Sequence, residues 1–296
     1  MQLRSRFCRF PFNAILALAL TALFANAAFA ASLVGTDNNG SRLVYIKTPG
    51  TSKTMTTTGA SPIGVVVGPT QQIIYAVSSK GEIHVYNPYT DADVILAKGF
   101  SNPVDITLEP GCKSILVSDV GTNKIYRVMF TDGSVSTFYD GPDVIRGVIY
   151  DVNTNVFAND LSLNAVVQFS IAGLIIKQTP AGSPLTVLDG LTYDKKSNQL
   201  FATSNTGQVL YEIADDLSTV NTINFANGPL LEGIVSNGSG TLYVVGGDGT
   251  NNNLYQYSVK SGTTTKLNAV PGLDRVSIIP NGPCIQPLGT DLACEE

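Results

Sequence analysis

Leu188-Asp189-Gly190-Leu191-Thr192-Tyr193-Asp194 is one copy of a unit that occurs six times along this chain of 296 residues. The other copies have a similar form, with apolar residues on both sides of a glycine or a charged residue. Successive copies are 41 to 43 residues apart when they are aligned at Gly64, Asp105, Gly147, Gly190, Gly233 and Arg275. Such a constant period indicates a repeat architecture rather than one irregular domain.

Each unit divides into four short β-rich runs that are separated by turn signals. In the second copy the runs are predicted as strands over 105–108, 114–118, 124–129 and 134–139. The segments between them contain Pro-Gly, Gly-Thr-Asn and Asp-Gly, which are typical of turns. No stretch after residue 30 keeps a helical period. Four strands in about 40 residues, repeated around a ring, are typical of a β-propeller blade.

The sixth copy is split between the two ends of the chain. Its first strand is predicted over 275–279, where the repeat stops, and N-terminal runs over 32–36, 42–46 and 52–56 match the other three strands. We therefore predict an all-β fold over residues 31–283. It is a six-bladed β-propeller with four-stranded blades, whose ring is closed by N-terminal strands that complete the last blade. An open β-solenoid is the alternative, although solenoids usually repeat in shorter units.

The first 30 residues have the pattern of a secretory signal peptide. Three arginines precede an apolar run over 14–24, and Ala28-Phe29-Ala30 is a small-x-small cleavage site. We expect cleavage before Ala31 and a secreted protein, either extracellular or periplasmic. A retained membrane anchor is the alternative, although the apolar run is short for a bilayer span.

The charge of the mature chain disfavours two classes of partner. Loss of the three arginines in the first 30 residues leaves 15 basic against 23 acidic residues, a net charge near −8. An acidic surface repels phosphate backbones and anionic lipids, so we expect neither nucleic acid nor membrane as a partner. We expect a monomer.

Three cysteines follow the signal peptide, and secretion places them in an oxidising compartment. Cys284 and Cys294 are close together in a C-terminal tail, residues 284–296, and we predict a disulfide between them. The alternative pairs Cys112, in the turn after its strand, with either tail cysteine, because the tail is expected to leave the last blade on that same face.

The innermost strand of each blade lines the channel of a propeller, so the residues that open these strands converge at one mouth. Around the ring this mouth has two adjacent apolar sides, at Ile63 and Val104, then one basic and three acidic sides. We predict six ligand-binding residues in this cluster, which we call the mouth cluster: Asp105, Arg146, Asp189, Glu232, Asp274 and Arg275.

Two interpretations of the mouth cluster stay open at this point. In the first, Arg146 and Arg275 neutralise the acids in an internal ring of salt bridges, since buried charges need partners. In the second, the cluster binds a cation or a polar ligand. Carboxylates on three adjacent blades could hold a hard divalent cation such as calcium through oxygen ligands.

Two families of propeller have motifs similar to parts of this chain. The second copy, with Asn102-Pro103-Val104-Asp105-Ile106 and later Asn123-Lys124-Ile125-Tyr126-Arg127, resembles an NHL repeat. Asp189-Gly190-Leu191 is similar to a motif of the senescence-marker-protein/gluconolactonase family. Both families are six-bladed, TolB-like propellers, so the resemblance implies the same architecture. The chain has no tryptophan, which disfavours WD-repeat propellers.

The gluconolactonase resemblance also implies a chemistry. In that family a Glu, an Asn and an Asp hold a divalent metal that polarises a lactone carbonyl. Asp189 matches the family's Asp and would be a metal ligand or a base, and Glu232 is an acid of another blade that could be a second ligand. Arg146 stands where the family has Asn, and no acid occurs near Ile63, where the family has Glu.

Histidine-based catalysis has little support in the sequence. The only histidine, His84, alternates with Glu82 and Tyr86 on a predicted third strand, away from the channel, where we expect a satisfied side chain. The histidine-dependent chemistry of the paraoxonase and streptogramin-lyase propellers is therefore unsupported. We predict a secreted, non-enzymatic propeller that binds a small ligand or a protein at the channel mouth. A metal-dependent lactonase or related ester hydrolase is the alternative.

Overall fold

A computed structural model describes residues 31–225, 230–247 and 252–280, and these residues form six sheets of four strands each. The prediction of an all-β, six-bladed β-propeller is confirmed. The helical structure among the described residues is one 3₁₀ turn over Ser78–Lys80. The predicted signal peptide, residues 1–30, and the tail, residues 284–296, lie outside the described residues and stay predictions.

Blades 1 to 3 follow one another along the first part of the chain, and each begins with its innermost strand. Blade 1 comprises β4 (Val65–Val67), β5 (Ile73–Val77), β6 (Glu82–Asn87) and β7 (Ala92–Lys98). Blade 2 comprises β8 (Pro103–Leu108), β9 (Ser114–Asp119), β10 (Lys124–Met129) and β11 (Val135–Asp140). Blade 3 comprises β12 (Ile145–Tyr150), β13 (Val156–Asp160), β14 (Ala165–Phe169) and β15 (Ile175–Gln178).

Blades 4 to 6 complete the ring. Blade 4 comprises β16 (Leu188–Asp194), β17 (Gln199–Ser204), β18 (Val209–Ala214) and β19 (Val220–Asn224). Blade 5 comprises β20 (Leu230–Ser236), β21 (Thr241–Gly247), β22 (Asn253–Ser258) and β23 (Thr263–Ala269). Blade 6 comprises β24 (Leu273–Ile278), β1 (Ser32–Asp37), β2 (Arg42–Lys47) and β3 (Thr51–Thr57).

Blade 6 joins the two ends of the repeat array. Strand β24 pairs antiparallel with β1, with Leu33 opposite Ile278 and Asp37 opposite Leu273. Beyond the strand, the backbone N–H of Ile279 donates to the carbonyl oxygen of Ser32 at 2.8 Å. The prediction that N-terminal strands complete the last blade is therefore confirmed.

The hydrophobic core lies between neighbouring blades. The second strands of four blades each carry a fully buried aromatic side chain, namely Tyr75, Phe157, Phe201 and Tyr243. Around Tyr243 of blade 5, for example, the packed cluster includes Leu33 of blade 6. Burial of one such side chain contributes about 1.5–3 kcal/mol. Stability is thus distributed over the contacts between blades, which explains the apolar second strands.

The glycine of the repeat lies where one inner strand passes close to the next. A Cβ on Gly190 would be 2.7 Å from the carbonyl oxygen of Glu232 in blade 5. A Cβ on Gly147 would be 3.0 Å from the carbonyl oxygen of Asp189 in blade 4. Glycine therefore lets adjacent inner strands approach each other at the channel.

The outer strands are the most exposed parts of the blades. In β7 and β15 most side chains are exposed, including Val94, Ile95 and Ile176.

No helix within 31–225, 230–247 or 252–280 has the length and apolar character needed to cross a membrane.

Candidate functional site

A narrow cavity lies on the axis of the propeller, lined by inner-strand residues of all six blades. Its volume is about 100 Å³. One water molecule needs about 10–15 Å³ of such space, so the cavity has room for several waters. Pockets that enclose small-molecule ligands usually measure about 300–1,000 Å³. The interior of the channel is therefore smaller than the pockets that usually enclose such ligands.

Irregular strand pairing occurs at the mouth cluster in five of the blades. The register between the first and second strands shifts at Pro103/Asp105, Ile145/Val148, Leu188/Leu191, Leu231/Ile234 and, in blade 6, Thr36/Asp37. Such β-bulges bend a strand and change the direction of its side chains, often next to functional sites. Arg146, Asp189 and Glu232 lie within these shifts. All three are on innermost strands, as predicted.

Asp189 is the centre of the mouth cluster and is only 1% exposed. Its Oδ1 accepts a hydrogen bond from Arg275 and lies 2.8 Å from Nε of Arg146. Its Oδ2 accepts from Nδ2 of Asn205 at 3.0 Å. Burial opposes ionisation, but the charges of Arg275 and Arg146 outweigh burial, so the pKa of Asp189 is lowered. Asp189 is therefore a carboxylate held between two guanidinium groups.

Arg275 connects the acids of two blades. It is 4% exposed, and its Nη1 donates to Oδ1 of Asp274 at 2.8 Å in addition to its bond with Asp189. Burial acts to lower the pKa of Arg275, but Asp189, Asp274 and Asp105 more than compensate and raise it. The salt bridges of the first interpretation are thus present around Arg275.

Glu232 has a different environment. Among the described residues, no arginine or lysine forms an ion pair with it, and its Oε2 accepts from Nδ2 of Asn252 at 2.7 Å. Burial and the charge of Asp274 raise the pKa of Glu232 to about 7. Burial also raises the pKa of Asp274, although Arg275 opposes it. Two neighbouring blades therefore bring together two carboxyl groups, and among the described residues Arg275 pairs with Asp274 but not with Glu232.

Asp105 faces the channel from blade 2. Its Oδ2 accepts from the backbone N–H of Val148 at 3.1 Å. Burial raises the pKa of Asp105 to about 6, although Arg275 acts in the opposite direction. With four acids and two arginines, the mouth cluster has a net charge of −2 when every member is ionised.

Three asparagine side chains that sequence reasoning missed also belong to the site. Each lies in the loop between the second and third strands of its blade. Its Nδ2 donates to the acid on the inner strand of the same blade. The pairs are Asn38 to Asp274 at 3.5 Å, Asn205 to Asp189 at 3.0 Å and Asn252 to Glu232 at 2.7 Å. The acid and the amide are 16 residues apart in blade 4 but 20 apart in blade 5, so no fixed spacing indicates them.

A second set of polar side chains holds the backbone of the mouth cluster. Near the end of the second strand of five blades, one hydroxyl or amide donates to a carbonyl oxygen on, or just before, the inner strand of the next blade. The pairs are Thr36 to Ile63, Ser78 to Pro103, Ser118 to Arg146, Asn159 to Asp189 and Thr203 to Glu232. These bonds fix the bulged strands relative to one another. The sequence signal was a Ser, Thr or Asn at the end of the apolar second run, which occurs in five of the six copies.

The residues present do not suit the divalent metal that the gluconolactonase resemblance implies. Oδ1 of Asp189 already faces two guanidinium groups, and Oδ1 of Asp274 is bonded to Arg275. Calcium requires six to eight oxygen ligands. Within the described parts of the chain, no group of three or more His, Cys, Asp or Glu residues could hold a metal ion. The geometry therefore gives no support to a metal bound by Asp189 and Glu232.

His84 lies on β6, away from the inner strands. Its ring nitrogens are 3.1 Å from Oε2 of Glu82 and 3.4 Å from Oδ1 of Asp93. The ring stacks on Tyr75 with 5.1 Å between centroids. His84 is thus a satisfied side chain outside the channel, as predicted.

Cys112 is buried in the turn between β8 and β9 and is disulfide-bonded, with its partner outside the described residues. Cys284 and Cys294 also lie outside the described residues. Each sulfur forms one disulfide, so a bond from Cys112 to either tail cysteine excludes a Cys284–Cys294 pair. Because the partner of Cys112 is not among the described residues, the predicted pair and the alternative pairing both stay predictions.

Comparison with known proteins supports the fold. No family model matches the chain, and no curated protein matches it. Among solved structures, a chain of a nidogen/laminin complex is similar with a TM-score of 0.71 and 14% identity, over 84% of this chain and 98% of that one.

Two structures of lyases are similar as well. A streptogramin B lyase has a TM-score of 0.57 and 14% identity, over 70% of this chain and 68% of that one. A catalytically inactive virginiamycin B lyase from Staphylococcus aureus with quinupristin has a TM-score of 0.61 and 12% identity, over 80% and 84%. At these identities the likeness shows the fold alone. The resemblance to β-propellers is confirmed, whereas the NHL and gluconolactonase assignments stay predictions.

Proposed function

We propose that this protein is a secreted, non-enzymatic propeller that binds a small ligand or a protein at the mouth of its channel. The observation that carries the proposal is Glu232, a half-buried carboxyl group without an ion-pair partner among the described residues. An unpaired buried charge costs on the order of several kcal/mol. A ligand that neutralises this charge would recover part of that free energy, and perturbed carboxyl groups are common at binding sites.

The exposure of the mouth cluster fits a site that is open to solvent on one side. The side chain of Arg146 is 29% exposed and that of Asp274 is 17% exposed, whereas Asp189 and Arg275 are buried beneath them. Ile63, half-buried on the apolar side of the mouth, offers contact to an apolar part of a ligand. Buried salt bridges would thus support the floor of the site, and the partly exposed side chains would contact the ligand.

This proposal can be tested with the three asparagine amides as reporters. Small amines, carboxylates and sugars would be added one class at a time to ¹⁵N-labelled protein, and the side-chain amide signals of Asn38, Asn205 and Asn252 followed by NMR. We expect at least one class to shift these signals and to leave Asn221, on the exposed strand β19, unchanged. If no class shifts them, the mouth cluster binds none of these ligands and the proposal of a small ligand is wrong.

The lactonase alternative stays an untested prediction that the contacts of Asp189 disfavour. Metal analysis after purification without a chelator, together with lactone turnover after addition of divalent metals, separates the two functions. Our proposal predicts neither stoichiometric metal nor turnover. Turnover that is lost in the folded variants Asp189→Ala and Glu232→Ala would instead establish an enzyme.

A further inference from the structure

We infer that the ligand of the mouth cluster carries a primary ammonium group, which binds between Glu232, Asn252 and Asp274. This inference rests on the proposed function and specifies the chemistry of the ligand. It depends on the number and type of hydrogen-bonding atoms that the structure leaves without partners, in addition to the negative charge.

The amide of Asn252 supplies the independent observation. Asn252 is 2% exposed, and its Nδ2 donates both to Oε2 of Glu232 and to the carbonyl oxygen of Leu273. Both partners are acceptors, so the amide nitrogen must face them and the amide orientation is fixed. Its Oδ1 is buried and has no hydrogen-bond partner among the described residues. A buried acceptor without a donor is costly, and it adjoins the carboxyl group that lacks a cation.

The charges on either side decide where a cation would bind. Arg146 and Arg275 both contact Asp189, Arg275 also contacts Asp274, and neither arginine pairs with Glu232. Glu232 and Asp274 lie on adjacent inner strands, and burial together with the charge of Asp274 raises the pKa of Glu232. A cationic group is therefore attracted to the Glu232 and Asp274 side, where Arg275 is the one cation that the described residues supply.

An ammonium group matches the acceptors on that side. It has three N–H donors and no acceptor, and the site offers three kinds of acceptor: a Glu232 carboxylate oxygen, Oδ1 of Asn252 and Oδ2 of Asp274. Oδ2 of Asp274 has only the long contact of 3.5 Å from Asn38. A calcium ion would need about twice as many oxygen ligands. The hydrogen-bond count thus favours an organic ammonium ion over a metal ion.

The test compares two probes of the same shape, benzylammonium and benzyl alcohol, by calorimetric titration of the mature protein at pH 8. We expect benzyl alcohol to bind at least about 10-fold more weakly, because charge-assisted hydrogen bonds are lost. Glu232→Gln should weaken benzylammonium about 10- to 100-fold. Glu212→Gln on β18 makes the same chemical change away from the mouth and should leave the affinity unchanged.

Each other outcome has a defined meaning. Equal binding of the two probes, or equal binding of benzylammonium to wild type and Glu232→Gln, would overturn the inference. If benzylammonium does not bind while another class shifts the asparagine signals, the inference fails and the proposed function stands. Calcium binding that disappears in Glu232→Gln would favour a metal site instead. If Glu232→Gln does not fold, the comparison of the two probes on wild type still decides.

Discussion

Two carboxyl groups on adjacent inner strands, Asp189 and Glu232, have opposite electrostatic surroundings. Asp189 lies between two guanidinium groups, and its pKa is lowered. Glu232 has an amide as its partner, and burial raises its pKa to about 7. Pairs of titratable groups whose pKa values are moved apart in this way are typical of functional sites. We therefore propose different roles for the two residues, with Asp189 supporting the site and Glu232 contacting the ligand.

The pH dependence of stability should show the unpaired state of Glu232. Its pKa is about 7 in the folded protein against an ordinary value of 4.5. The folded state therefore holds more protons between these values, and stability falls as the pH rises through this window. We expect Glu232→Gln to be more stable than wild type at pH 8 by about 2 kcal/mol, after allowance for solvent screening. Urea unfolding at pH 5 and pH 8 measures this.

Glu212→Gln is the control for that experiment, because Glu212 is half-buried on β18 with an exposed asparagine as its hydrogen-bond partner. Its stability should follow that of wild type at both pH values. Asp105, with a pKa raised to about 6, leaves some pH dependence of the same sign in Glu232→Gln. A wild-type protein that gains stability from pH 5 to pH 8 would contradict the raised pKa of Glu232.

Arg275 should be one of the most sensitive single residues in the ring. Arg275→Ala would remove a partner from Asp189 and the ion-pair partner from Asp274, both buried or nearly so. Removing one member of a buried ion pair costs about 3–5 kcal/mol. The free energy of unfolding at pH 7 measures the effect. Lys124→Ala breaks the exposed Lys124–Asp140 pair and should cost less than about 1 kcal/mol. Similar losses in both variants would show that the Arg275 ion pairs add little.

At the scale of single residues, the sequence predicted the charges and gave pairing of arginines with acids as one interpretation, but it did not show which acid each arginine contacts. The repeat spacing predicted that the six residues of the mouth cluster lie close together, because equivalent positions of the repeat surround the axis of the propeller. It could not show that both arginines bind Asp189, since this depends on side-chain direction within a bulge. The amides of Asn38, Asn205 and Asn252 were missed because their loops differ in length from blade to blade.

At the scale of the strand, the bulges and the bonds that hold them determine the geometry of the mouth. Thr203 on β17 is fully buried, accepts from the N–H of Gly190 at 2.8 Å and donates to the carbonyl oxygen of Glu232. One hydroxyl thus serves two inner strands, at the position where Gly190 allows them to approach. The strand pattern itself was predictable from turn signals and apolar runs, whereas the register shifts have no pattern in one sequence.

Thr203→Val should therefore destabilise the protein although it conserves the shape of the side chain. Two buried backbone groups would lose their hydroxyl partner, at a cost of about 1–3 kcal/mol each. We expect a loss of about 2 kcal/mol or more in thermal or urea unfolding, and recovery in Thr203→Ser. Thr222→Val on the exposed strand β19 should change stability by less than about 0.5 kcal/mol. A neutral Thr203→Val would show that the hydroxyl bonds are not needed.

At the scale of the whole molecule, the ring depends on the non-covalent pairing of β24 with β1. Leu33 and Val34 of β1 are fully buried, and the cluster around Leu33 includes side chains of blade 5. Six copies at a steady spacing predicted this closure, because the first strand at one end and three strands at the other complete one blade. The sequence predicted the fold of the ring better than the site. The repeat spacing does not depend on the local bulges and loop lengths that determine the contacts of single side chains.

Hydrogen exchange should show whether blade 6, which closes the ring, unfolds together with the other five blades. We expect amides of β1 to exchange as slowly as those of β9 and β17, because all three are buried in contacts between blades. Amides of the exposed outer strands β7 and β15 should exchange faster. Exchange in β1 that is orders of magnitude faster than in β17 would mean that the ring opens at blade 6.

The most direct measurement on the mouth cluster is a crystal structure of the mature protein soaked with para-bromobenzylammonium, with data collected at the bromine absorption edge. We expect a bromine anomalous peak above the channel mouth and the ammonium nitrogen within hydrogen-bond distance of Glu232 and Oδ1 of Asn252. No bromine peak at the mouth, with Arg146 and Arg275 still bonded to Asp189, would contradict the assignment of this cluster as an ammonium-binding site.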